Sequence, residues 1–146
     1  MWEAIGGLLV ASAISGVVPL VNAELLVVGT AAALPAAGIP LIAAVSAVGQ
    51  MTAKTLLFEL ARRAPSRLPA RARTAIEDAS TSVRRRGGTA WSLVFTSAAT
   101  GLPPFYGVSV ASGALGVRRT DFVCAGGLGR FLRFGALAWL GATVGG

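Results

Sequence analysis

The sequence predicts an all-α integral membrane protein of two inverted repeats, each a re-entrant helical hairpin followed by a transmembrane helix, with a basic cytoplasmic loop helix between them. Three observations predict it: high hydropathy, a lopsided distribution of charge, and the places where Pro and Gly interrupt the apolar runs. Of 146 residues, 54% are apolar and 13% charged, and the mean hydropathy is +0.71, well beyond the balance of soluble domains. Lys and Arg number 13 against 6 Asp and Glu, a net charge of +7. Most of that charge sits in one stretch rather than over a surface, which argues against a soluble nucleic-acid binder. The chain has no His and a single cysteine, Cys124. It therefore lacks the commonest general base and metal ligand and cannot form an internal disulfide. Zinc chemistry and His-based hydrolysis are excluded, and no cofactor, metal or enzymatic activity is expected.

The charges divide one membrane domain, residues 1–146, into repeat one (1–63), a basic loop (64–87) and repeat two (88–146). From Ala4 to Phe58 only Glu24 and Lys54 are charged, and from Gly87 to Val117 nothing is. Both stretches exceed a single bilayer crossing. Between them, Arg62, Arg63, Arg67, Arg71, Arg73, Arg84, Arg85 and Arg86 outnumber Glu59, Glu77 and Asp78. This reads as an aqueous loop with a short helix near Arg71 to Val83, its arginines a positive-inside signal rather than a specific lipid or RNA site. The N-terminal MWEAIGG has no basic n-region, so the mature chain is expected to begin at Met1.

In repeat one, Ile5 to Val17 is too short to cross comfortably, Pro19 and Asn22 break the run, and Leu25 to Leu34 is again short. Two half-helices around a break predict a re-entrant hairpin. The turn Pro35 to Gly38 leads into Ile39 to Arg62, which at 1.5 Å per residue spans about 36 Å, enough for a full transmembrane helix. In repeat two, Ala90 to Thr100 is followed by a break at Gly101 to Gly107, containing Pro103 and Pro104. Val108 to Leu115, a turn at Val117 to Arg119, and a spanning helix from Thr120 to Val144 complete the repeat. Ser15-Gly16-Val17-Val18-Pro19 aligns with Thr100-Gly101-Leu102-Pro103-Pro104. A hairpin returns to its starting side while a spanning helix crosses, so the repeats enter from opposite faces. This places the basic loop (62–86) and the Arg118-Arg119 turn in the cytoplasm, and the termini outside. Trp2, Trp91 and Trp139 fall near an interface. Four ordinary helices remain the alternative.

Irregular backbone is tolerated in hydrocarbon only where protein covers it or it lines a watery cavity, because each unsatisfied polar group costs several kcal/mol. Two breaks meeting near the midplane therefore mark a candidate site, and such sites between inverted repeats favour transport. Glu24 follows the first break, while Arg130 lies about 15 Å along the last helix from Thr120, with Arg133 at i+3 on the same face. Each Arg at a helix centre costs about 2.5–3.5 kcal/mol even on insertion scales, and Glu24 can neutralise only one of them. The functional reading is an anionic headgroup or phosphate site gated by Glu24; the structural one is a Glu-Arg clamp pinning hairpin to helix. Gln50 occupies the place in repeat one that Arg130 occupies in repeat two, positioned to bond the open backbone of the first hairpin. Lys54 completes the candidate substrate-binding set of Glu24, Arg130, Arg133, Gln50 and Lys54, although its stem could snorkel to the interface. Asp121 reads as a helix N-terminal charge, Phe105 and Tyr106 as a packed seal on the second break, and Cys124 as a small buried residue.

The segments PLVNAELL (Pro19 to Leu26), GQMTAKTLLFELARR (Gly49 to Arg63), GLPPFYGVSVASGAL (Gly101 to Leu115) and GRFLRF (Gly129 to Phe134) together resemble the DedA superfamily. More narrowly, they resemble its small YqaA-like members with a VTT domain, over nearly the whole chain. The family pattern of Pro followed closely by Glu falls on Pro19 and Glu24, and the late basic pair on Arg130 and Arg133. Gln50 differs from the acidic residue or Asn common in the family, and Phe58 to Arg62 from its Tyr-rich GR segment. The resemblance implies a multi-pass plasma-membrane (inner-membrane) protein moving phospholipid or polyprenyl phosphate between leaflets, as scramblase or flippase, with proton coupling proposed for some members. A homodimer is expected, since two small repeats make a thin wall around two hairpins. A non-transporting membrane scaffold is the competing class. A membrane enzyme acting on lipid phosphates lacks any nucleophile pair or metal cluster in the sequence.

Overall fold

The computed structural model describes residues 1–17, 22–86 and 89–145. These residues form seven α-helices and two short 3-10 turns, with no strand among them. Helix α1 (Trp2–Val17) and α2 (Ala23–Ala33) are the first two half-length helices. The sequence between them includes Pro19, which lies outside the described residues. Asn22 starts α2 from an extended conformation, its Oδ1 accepting the Glu24 N–H at 3.0 Å, and so supplies an acceptor for one of the donors that a helix start leaves open. A 3-10 turn, Ala36–Gly38, leads into α3 (Ile39–Arg63). The segment Ala36–Arg63 is the one stretch among the described residues that is long and apolar enough to cross a membrane.

A second 3-10 turn, Pro65–Arg67, precedes α4 (Ala70–Arg86), longer at both ends than the loop helix expected from the sequence. Helix α5 (Ala90–Thr100) matches its expected bounds; Thr89 caps it by accepting the Ser92 N–H at 3.2 Å. Gly101 ends it with φ +81°, a left-handed conformation that costs glycine nothing. Helix α6 (Phe105–Ala114) begins immediately after Pro104, three residues earlier than Val108. Proline fixes φ and disfavours helix in the residue before it, so the break is confined to Gly101 to Pro104. Helix α7 (Arg119–Gly145) is 27 residues long; Arg130 and Arg133 interrupt its apolar centre. Asp121 lies in its first turn, where a negative charge is favourable.

The chain groups into two compact units, Met1–Ala53 with Arg130–Gly146, and Lys54–Gly129. The first unit holds α1, α2, the first half of α3 and the last half of α7. Its core joins Leu8, Val27, Ile42, Ala47, Phe134 and Ala138, one or more from each helix. Close approach is built on small residues. A Cβ on Gly49 would stand 2.6 Å from the Leu9 carbonyl oxygen, and one on Gly141 2.5 Å from that of Val28. Gly145, one turn after Gly141, meets Ala32, one turn after Val28, so α2 and the end of α7 run parallel in direct backbone contact.

In the second unit, Phe58 stacks on Phe122 with centroids 4.7 Å apart, and Phe105 lies 6.0 Å from Phe122. Helix α4 packs extensively on α6. Leu68, Ala72 and Ile76 recur every four residues and join Ala61, Val110 and Tyr106 in one cluster. Among the described residues the basic segment is therefore a docked amphipathic helix with one apolar stripe. The break before α6 is tied by the Ser97 hydroxyl, which donates to the Pro103 carbonyl at 2.5 Å.

Candidate functional site

Glu24 occupies the first turn of α2, fixed there by the Asn22 cap. Its Oε1 accepts from Arg133 Nε at 2.7 Å and also from Arg133 Nη2, so one carboxylate oxygen receives N–H groups from two of the three guanidinium nitrogens. The side chains are 37% and 23% exposed respectively, which makes this an accessible ion pair between helices far apart in sequence. One turn earlier on α7, Arg130 is 7% exposed. Its guanidinium lies 6.0 Å from the Phe134 ring, within the range of a cation–π contact. Arg130 is also close enough to Arg133 and Glu24 for both charges to act on it. Three of the candidate residues named from the sequence thus form one cluster in the first unit, with two guanidiniums and one carboxylate. Charge-assisted hydrogen bonds of this kind are the strong ones, and a planar guanidinium matches the geometry of a carboxylate or phosphate.

Gln50 belongs to the same unit but bonds differently from expectation. Its Nε2 donates to the Ser15 hydroxyl at 3.2 Å, an α1 side chain rather than open hairpin backbone, and Ser15 in turn donates to the Ser12 carbonyl at 2.8 Å. Gln50 Oε1 and the hydroxyls of Ser12 and Ser46 are buried without a hydrogen-bond partner among the described residues. These serines were missed in the sequence, although Ser12/Ser15 at i+3 and Ser46/Gln50 at i+4 are the spacings that put polar groups on one helix face.

Lys54 does not snorkel. It is 6% exposed, lies in the second unit, and holds its ammonium 5.5 Å from the Tyr106 ring centroid. Arg71 of α4 approaches the same ring at 5.6 Å, a role for the basic segment that its composition alone did not disclose. Phe105 is buried at 3% exposure and packs behind the second break as expected. Cys124, expected to be buried, is exposed, since it falls outside the stripe formed by Phe122, Ala125 and Gly129 on α7. Gly101, Pro103 and Pro104 form the break between α5 and α6, and their backbone is tied locally. The Thr100 hydroxyl accepts the Leu102 N–H at 3.2 Å. No cluster of metal-ligating side chains occurs among the described residues.

No family model, no curated protein and no solved structure matches this chain.

Proposed function

We propose that this protein is a multi-pass membrane lipid transporter, a scramblase or flippase that passes phosphate-bearing lipids between leaflets. The observation that carries the reading is the cluster of Glu24, Arg133 and Arg130. Two guanidiniums and one carboxylate lie together on helices that are otherwise apolar. Holding each arginine there costs about 2.5–3.5 kcal/mol on insertion scales, a cost that is offset when a phosphate group enters. In the proposed cycle the lipid phosphate engages Arg130 and competes with Glu24 for Arg133. The Glu24–Arg133 pair re-forms when the phosphate leaves, and protonation of Glu24 is the point at which a proton gradient would couple.

The remaining features of the reading rest on the sequence: two inverted hairpin-and-helix repeats, the basic segment 62–86 on the cytoplasmic side of the inner membrane with the termini outside, the resemblance to the DedA superfamily, and a homodimer that covers the hairpins. The substrate is phospholipid or polyprenyl phosphate, which share the anionic phosphate. A scaffold reading draws on the same ion pair, because Nε and Nη2 of Arg133 converge on one oxygen of Glu24 as in a clamp between α2 and α7. Proteoliposomes carrying labelled phospholipid or polyprenyl phosphate, assayed at pH 5 and pH 8 with wild type and Glu24→Gln, decide between them. Lipid movement by wild type whose pH dependence is lost in Glu24→Gln supports transport with Glu24 as the coupling group. No movement by the wild-type chain, together with one stoichiometric protein partner on purification, supports the scaffold.

A further inference from the structure

Within the first unit, α1 lies against the first half of α3 in direct backbone contact. A Cβ on Gly49 would stand 2.6 Å from the Leu9 carbonyl oxygen and 3.0 Å from the Ser12 Cβ, and one on Gly16 would stand 3.3 Å from the Gln50 carbonyl oxygen. Later residues of α1 thus meet later residues of α3, so the two helices run parallel, with Ser12 level with Gly49. At about 100° per residue, Ser46 falls between Gly49 and Gln50 around α3, on the side turned to α1. It precedes Gln50 by about 6 Å along the axis, and Ser12 stands between their levels. Ser12 and Ser46 are fully buried in this seam, and Gln50 is 7% exposed.

Hydrogen bonds within the protein satisfy only part of this group. Gln50 Nε2 donates to the Ser15 hydroxyl at 3.2 Å, and Ser15 donates on to the Ser12 carbonyl at 2.8 Å. That chain ends on backbone and leaves Gln50 Oε1 and the hydroxyls of Ser12 and Ser46 buried without a partner among the described residues. Elsewhere a helical hydroxyl turns back to the carbonyl four residues earlier, as Thr52 does to Val48 and Ser109 to Phe105; Ser12 and Ser46 do not. Gln50 Oε1 calls for a donor, and each serine hydroxyl can donate and accept. The side chains of Ser12, Ser15, Ser46 and Gln50 are all neutral, so an ion of either sign would enter without a counter-charge. A ligand that is neutral, small, and both donor and acceptor matches them, and a buried water typically makes about three hydrogen bonds to such groups. We infer that the α1–α3 seam is a binding site for a water molecule. The water donates to Gln50 Oε1, accepts from one serine hydroxyl and pairs with the other, which gives Gln50 an occupant other than the lipid phosphate. The site is independent of the lipid-transport reading.

The sequence makes the test direct, because Gln50 is the only glutamine in the chain and Asn22 the only asparagine. The full-length chain, labelled with nitrogen-15 in detergent micelles, therefore gives two side-chain amide pairs, and the exposed Asn22 serves as the control. Nuclear Overhauser transfer from water to the Gln50 amide should carry the sign of a long-lived bound water, and transfer to Asn22 that of fast surface water. Ser15→Ala removes the hydroxyl nearest the Gln50 amide and should leave the transfer in place, which separates bound water from proton exchange through Ser15. The double variant Ser12→Ala with Ser46→Ala should abolish it. Each of these two substitutions alone should lower the Tm by about 3–5 °C, because it takes a hydrogen bond from the water and leaves the remaining groups less well paired. Hydroxyls that are simply unmatched would give the opposite sign, since deleting them relieves a burial penalty. Absence of long-lived transfer to Gln50, its loss in Ser15→Ala, its persistence in the double variant, or a Tm that is unchanged or raised by either single substitution overturns the inference.

Discussion

Replacing Gly141 by Ala puts a Cβ 2.5 Å from the Val28 carbonyl oxygen and 3.1 Å from the Val28 carbonyl carbon and Cα. Ordinary contact begins at 3.4 Å, so the two helices must part by about 0.9 Å at this point. The obstructing atoms are backbone within a hydrogen-bonded helix and cannot swing aside as a side-chain tip would. Overpacking of this kind typically costs about 1–3 kcal/mol. Against it, Ala gains about 0.5–1 kcal/mol over Gly as a helix residue. The matched control is Gly29→Ala on α2, where the added Cβ meets nothing within 4 Å. It carries the same propensity gain without the clash, so the difference between the two variants isolates the overpacking, about 1–3 kcal/mol. For a chain of this length that corresponds to a gap of about 3–12 °C in Tm, read by circular dichroism in detergent with Gly141→Ala the lower. Equal Tm values, or Gly141→Ala the more stable, would refute the close α2–α7 approach that brings Glu24 and Arg133 together.

Three further outcomes follow from the second unit and α7. Phe58 is fully buried and stacked on Phe122, so Phe58→Ala should cost about 3–5 kcal/mol, measured as a fall in the denaturant midpoint. Ser97→Ala removes the hydroxyl that bonds the Pro103 carbonyl across the α5–α6 break and should cost about 1–2 kcal/mol; faster hydrogen exchange at Leu102 to Gly107, with α1 and α2 unchanged, is the local signature. The exposed Cys124 should react with a maleimide in detergent without denaturant, and a thiol that is labelled only after unfolding would contradict its placement.

The helices were legible in the sequence where punctuation is strong. Asn22, the turn Pro35 to Gly38 and Gly101 punctuate the apolar runs, and α2 and α3 begin, and α5 ends, directly beside them. The start of α6 was misplaced because Phe105-Tyr106-Gly107 reads as loop beside two prolines, yet Pro104 pre-sets the dihedral that lets a helix begin directly after it. The basic segment was read by its charge, which hid the four-residue recurrence of Leu68, Ala72 and Ile76 that docks it on α6. Within the site, the conjunction of Glu24 with a late arginine was legible because one carboxylate and two guanidiniums lie in otherwise apolar runs. Which arginine would bond it was not. Arg130 and Arg133 are one turn apart, and the choice depends on how α7 is rotated against α2, which Gly141 and Gly145 set by backbone contact. Lys54 was misjudged for a related reason: its cover is Tyr106, 52 positions away in the chain, and no local spacing announces such a partner.

The measurement that bears most directly on the proposed function is transbilayer movement of headgroup-labelled lipid in proteoliposomes, wild type beside Arg130→Ala, with both inserted to the same level and equally helical. The account predicts that wild type exposes the inner-leaflet label to an external quencher and that Arg130→Ala does so at least about ten-fold more slowly, since the variant removes a buried charge-assisted phosphate contact. Equal rates for the two proteins, or no movement by wild type with either phospholipid or polyprenyl phosphate, would contradict it.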